Sequence, residues 1–109
     1  MYTITWTGAW LSWNTMLSKN RWQRAKLMED WKPLYRKMFA DAGMKPMKNF
    51  TIVIRYWSRM DADNVYMKAF IDSLRAEHLV PNDDKRYFGG ISCTPDPTLK
   101  HNTYVISVI

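Results

Sequence analysis

Cysteine is almost absent from this chain of 109 residues, with Cys93 the only one. A lone thiol cannot close an internal disulfide, which fits a reducing compartment. With only two histidines beside it, a structural zinc site is not expected, because such sites take four Cys or His ligands. Long apolar runs are also missing. None approaches the roughly 18 residues needed to cross a bilayer. The N-terminus shows no basic segment leading into an apolar stretch and a small-residue cleavage site, the pattern of a signal peptide. The expectation is a cytoplasmic protein that does not engage membranes. No repeat, linker or low-complexity segment interrupts the chain.

Basic charge is what the chain has in excess. The formal net charge is +6 and the sequence pI about 9.6. Such a balance suits a polyanionic partner, nucleic acid above all, although small basic proteins without one also exist. Seven Lys or Arg against two acids lie between Lys19 and Lys37, with aromatic residues among them. Hydrophobic residues make up 47%, enough for one modest core, and the length suits a single domain over 1–109. A domain of this size often gains stability by association.

The pattern along the chain predicts an α+β domain with element order β-α-β-α-β-β and two main helices on a mixed sheet. Met1 to Thr7 alternates Tyr2, Ile4 and Trp6 with threonines and predicts a strand. Gly8 to Lys19 predicts a loop. Ser18 or Asn20 can cap a helix from Arg21, whose Met28, Trp31, Leu34, Tyr35 and Met38 recur at helical spacing up to Ala42–Gly43. Pro33 inside it predicts a kink or two abutting helices. Phe50 to Trp57 is the clearest strand and, with apolar residues on both faces, a central one. Asn64 to Glu77 predicts the second helix, with Met67, Ile71, Leu74 and His78 on one stripe. Arg86 to Ser92 predicts a short strand interrupted by Gly89–Gly90, and Tyr104 to Ile109 a closing strand.

Against this basic background, four of the ten acids gather at two points: Asp61 and Asp63 before the second helix, Asp83 and Asp84 after it. Like charges held together repel and raise one another's pKa, and a divalent cation relieves that cost. Extended backbone at Asp61 and Asp63 would put both carboxylates on one face. They could then hold Mg²⁺, which prefers oxygen ligands and retains several waters. If the chain returned antiparallel, Asp83 or Asp84 could reach the same ion. The competing reading is plain capping, since Asp-x-Asp-Asn before a helix is ordinary N-terminal chemistry worth about 0.5–2 kcal/mol. Asn82-Asp83-Asp84 likewise suits a solvated turn. Lys68 and Asp72 stand at i, i+4 and form either a surface ion pair or part of a phosphate-binding site. Cys93 has no adjacent base in the sequence to make it a nucleophile.

Two blocks of the chain resemble the RusA family of Holliday-junction resolvases, especially its phage-type members. One runs Asp61-x-Asp63-Asn64, Lys68-x-x-x-Asp72-x-Leu74, then Leu79-Val80 and Asp83-Asp84. The other runs Leu11-Ser12-Trp13-Asn14, then Asn20 to Lys26, then Trp31. The resemblance implies a homodimeric, Mg²⁺-dependent endodeoxyribonuclease, with Mn²⁺ a possible substitute, that resolves four-way DNA junctions by paired nicks in recombination and repair. It implies Asp61, Asp63 and Asp84 as catalytic metal ligands and Lys68 as the catalytic lysine, with Asp72 and Asp83 in support. Asn14, Lys19, Arg21, Arg24, Lys26 and Arg59 are the matching candidates for DNA contacts. The family's strongly basic run before the first aspartate is thin here, reduced to Arg55 and Arg59. The alternative function is a DNA-binding module of the same fold that does not cut.

Overall fold

Alternation over Phe50–Trp57 produces the expected strand, β2, with Phe50, Ile52, Ile54 and Tyr56 buried. The computed structural model, which describes residues 1–109, sets it inside a four-stranded mixed sheet. The other strands are β1 (Tyr2–Thr7), β3 (Phe88–Pro95) and β4 (Thr103–Val108), in the spatial order β1-β4-β2-β3. β4 runs antiparallel to both of its neighbours, whereas β3 runs parallel to β2. Three helices complete the chain: α1 (Trp13–Ser18), α2 (Arg21–Asp41) and α3 (Lys68–Ala76). No helix is long and apolar enough to cross a membrane.

The segment expected to be a loop contains α1. Its signal is local: the Ser12 hydroxyl accepts from the Thr15 backbone N–H, but a helix of one and a half turns is too short to display periodicity. Asn20, rather than Ser18, caps α2, and its reciprocal bond with Gln23 forms a full capping box. α2 passes through Pro33 as one element instead of breaking there. Pro33 and Glu29 are both exposed, so the carbonyl that loses its partner faces water. The helix stops at Gly43, at φ 65°. There the Gly43 and Met44 N–H groups donate back to the Ala40 and Phe39 carbonyls, the Schellman arrangement that a left-handed glycine permits.

The second helix starts later than its sequence suggests. Ala62–Asn64 forms a single 3₁₀ turn, and α3 begins only at Lys68. The intervening Val65–Met67 is claimed by long-range contacts. Val65 bridges to Ser12, the Tyr66 N–H donates to the Leu11 carbonyl, and the Trp10 indole donates to the Tyr66 carbonyl at 2.9 Å. α3 then buries Ala69, Phe70, Ile71 and Leu74. His78, expected on the same stripe, turns away into solvent at φ 57°.

β3 is longer than expected and is bent rather than broken by its glycines. The register shifts between Phe50 and Ile52, Gly90 takes φ 117°, and a Cβ on Gly89 would lie 2.5 Å from the Thr51 hydroxyl. Both helices of the main layer pack on one face of the sheet. Trp10 joins the layers, its ring lying against Trp31, Tyr35, Phe70 and Tyr104. Beside it, Tyr35 is fully buried with a hydroxyl that finds no hydrogen-bond partner. Leaving such a group unsatisfied costs about 1–3 kcal/mol. Tyr35→Phe should therefore raise stability by about 1 kcal/mol in urea denaturation; an equal loss would show that the hydroxyl does have a partner.

Candidate metal and nucleic-acid site

The turn after β2 carries Asp61 and Asp63. The Tyr56 hydroxyl donates to the Met60 carbonyl at 2.8 Å, which pins the chain as it leaves the strand. The two resemblance blocks, far apart in sequence, meet at this point. The Asn14 backbone N–H donates to Asn64 Oδ1 at 2.9 Å, and the Trp13 ring stands edge-on to Tyr66 with centroids 4.6 Å apart. Trp13, Val65, Ile91 and Cys93 line a shallow apolar recess with Asp63 at its side.

The capping role considered for Asp61 is not realised. Asp61 occupies the cap position of the 3₁₀ turn without a side-chain hydrogen bond to it. The two carboxylates share a further property. The chain has ten acids, and eight form ion pairs within 4.0 Å; Asp61 and Asp63 are the two that do not. Both are exposed. Both also act on the Tyr56 hydroxyl, whose pKa is raised by burial first, then by Cys93 and Asp61, with Tyr104 and Asp63 adding to it.

Asp83 and Asp84 lie elsewhere. An antiparallel return would have brought them to Asp61 and Asp63, but β3 is parallel to β2. Phe88 pairs with Phe50 and Pro95 with Tyr56. Asp84 thus precedes one end of this strand pair while Asp61 follows the other, about 20 Å away along the strands at a 3.3 Å rise per residue. Asp84 is tied to Arg86 by a 2.8 Å ion pair and accepts from its backbone N–H. These bonds hold its pKa below the usual carboxylate range. Asp83 pairs with Arg75 of α3 at 3.6 Å. Within one chain, no group of three or more His, Cys, Asp or Glu converges on a common point.

Lys68 opens α3 and reaches Asp72 at 3.8 Å, the i, i+4 contact that the spacing predicts. Both remain partly open to solvent, so this pair contributes little to stability. Arg24 and Asp72 flank the Tyr66 hydroxyl, whose pKa is raised by burial and then Asp72 and lowered in turn by Arg24. The first turn of α2 is therefore beside the start of α3. Arg21, Lys26 and Arg59 are exposed, and Lys19 and Arg24 half-buried. The α2 N-terminus, the positive end of its macrodipole, has Arg21 and Arg24 and no acid in its first turn. An acid there would be stabilising, so the chain concentrates positive charge where helix electrostatics disfavours it.

Asn20 is committed to its capping box. Trp10 is in the core, while Trp22 is 76% exposed and under the Arg21 guanidinium. Burial pushes the Cys93 thiol up to about 11. At pH 8 it should alkylate about a hundredfold more slowly than a free thiol, since only the thiolate reacts; an iodoacetamide time course reads this directly, and a rate equal to that of free cysteine would contradict it. The isolated Asp61–Asp63 pair is the feature that sequence reading alone did not expose, because pairings such as Arg36–Glu77 at 2.7 Å and Arg55–Asp96 at 2.7 Å join residues distant in sequence.

Comparison with family models, with curated proteins and with solved structures finds no match to this chain.

Proposed function

We propose that the protein is a structure-selective, Mg²⁺-dependent endodeoxyribonuclease that acts on four-way DNA junctions as a homodimer. One observation carries the reading: in a chain with six surplus cations, Asp61 and Asp63 alone among the acids have no cationic partner. Two free carboxylates suit Mg²⁺, which is commonly bound by one or two carboxylates, waters and a substrate phosphate. A metal bound there would supply charge neutralisation at the scissile phosphate. Asp84 does not join this pair within one chain, and only a second copy could bring it there.

The remaining roles belong to residues the chain itself provides. Arg21, Arg24, Lys19 and Lys26 at the start of α2 would hold backbone phosphates, with Arg59 beside the acidic turn. Lys68, bound only loosely to Asp72, could exchange that contact for a phosphate oxygen. Asn14 stabilises the acidic turn through its backbone while leaving its own side chain free for DNA.

A second reading has a specific observation in its favour. The third acid implied by the family resemblance is bound to Arg86 and remote from the pair, as in a junction-binding module that does not cut. The two readings share their binding surface and differ in chemistry. Binding through α2 should follow counterion release, with log K falling by about 0.9 per log unit of salt for each phosphate neutralised. Arg21→Ala should weaken binding to every DNA form and reduce the slope by about one. A salt titration by fluorescence anisotropy checks this, and an unchanged slope would remove α2 from the interface. Cleavage of a junction with Mg²⁺ separates the nuclease from the binding module.

A further inference from the structure

Trp22 is the most exposed of the chain's six tryptophans, at 76%, and nothing in the fold requires it. Four of the others have partners within the chain. Trp6 and Trp10 donate through their indole N–H groups, and Trp13 and Trp31 pack against other rings. Trp22 has only the Arg21 guanidinium, 5.5 Å from the ring centroid over one face. With the side chain so exposed, the opposite face is open to water. An indole in this position contributes little to the core, yet it is the side chain that most often anchors a binding partner.

The charge around the ring is of one sign. Lys19, Arg21 and Arg24 have no ion pair in the chain, and the first turn of α2 holds no acid. The next acids along the helix, Glu29 and Asp30, are paired with Lys32 and Lys26. A flat apolar ring framed by unpaired cations complements a nucleobase framed by its own phosphates.

We infer that the open face of Trp22 stacks on an unpaired nucleobase of DNA, while Lys19, Arg21 and Arg24 take the phosphates beside it. Arg21 braces the indole from behind through its cation–π contact. In linear duplex both faces of an internal base are already stacked. The ring therefore finds a free face only where a strand is single, as at the opened centre of a branched molecule. This inference rests on the DNA-binding reading of α2 and not on cleavage, and it gives that reading a source of selectivity for branched over linear DNA. A lipid surface also takes aromatic and basic residues together, but it needs a continuous apolar helix face. The positions of α2 that share a face with Trp22 are Ala25, Lys26 and Glu29, all exposed and none large and apolar. Leu17 of α1 is exposed too, but one leucine and one indole make no such face.

The test is fluorescence anisotropy with a labelled single strand of about 15 thymidines, near the site size of a small single-strand binder, and with a duplex of the same length. Trp22→Ala should weaken single-strand binding by about tenfold, leave duplex binding unchanged and keep the salt slope of the wild type. Trp22→Phe should keep most of the affinity. Stacking should also quench part of the wild-type tryptophan emission, and that quenching should vanish in Trp22→Phe. Far-UV circular dichroism should be the same for all three, since the ring is outside the core. Equal single-strand affinities for wild type and Trp22→Ala would overturn the inference and leave the DNA reading standing. So would an equal loss on duplex. A ring-dependent association with phosphatidylserine vesicles, without any ring dependence on DNA, would overturn it in favour of a membrane. A wild type that binds neither DNA form would sink the DNA reading and this site with it.

Discussion

Asp63→Asn should bind a four-way junction as tightly as the wild type and lose at least about a hundredfold in Mg²⁺-dependent cleavage. The magnitude follows from what a metal ligand supplies: charge stabilisation worth several kcal/mol, where each 1.36 kcal/mol is a tenfold change in rate. Fold stability should not change, and that separates catalysis from capping. A carboxylate that capped a helix would cost about 0.5–2 kcal/mol on removal, but Asp63 lies inside the 3₁₀ turn at Ala62–Asn64, whose cap position is held by Asp61. Asp63 has no ion pair to lose either. Urea denaturation run alongside the cleavage assay distinguishes the two. Destabilisation with intact cleavage would return Asp63 to a structural role.

Trp10→Ala should cost about 3–5 kcal/mol, the range for emptying a large aromatic site in a core. Against a typical total of about 5–15 kcal/mol, that loss leaves the variant partly unfolded or close to it. The reason is the number of elements that meet at one ring. Trp10 touches Trp31 and Tyr35 from α2, Phe70 from α3 and Tyr104 from β4, and its indole holds the Tyr66 carbonyl. That last bond helps hold the chain at Tyr66 outside the helix and so sets where α3 begins. Trp10→Phe should lose mainly the hydrogen bond, about 1 kcal/mol, and leave the packing largely in place. Equilibrium urea curves compare the two. Equal losses would mean that the ring itself contributes little.

Some of these elements are written locally in the chain and others are not. β2 and the cap of α2 are local signals, an alternation and a polar residue three positions before a glutamine, and both appear where expected. The late start of α3 is not local, because Leu11, Ser12 and Trp10 dictate it from the other end of the chain. Strand direction leaves no mark on an apolar pattern either. The parallel pairing of β3 with β2, which parts Asp84 from Asp61, is therefore not written in that pattern. Burial on both faces of β2 was suggested by its composition, yet Arg55 and Trp57 are exposed, and only one face of the sheet is covered by helices. For the site, the sequence singled out Asp61, Asp63, Asp83 and Asp84, of which the latter two are paired with Arg75 and Arg86. The isolation of Asp61 and Asp63 from every cation emerges only once the other eight acids are seen paired in three dimensions.

Incubating the wild-type chain with a strand-labelled synthetic four-way junction and Mg²⁺ tests the central claim most directly. The account predicts paired nicks at symmetric positions that vanish when the metal is chelated, with little action on linear duplex. A protein that binds the junction and never cuts it, with Mg²⁺ or Mn²⁺, would contradict the claim.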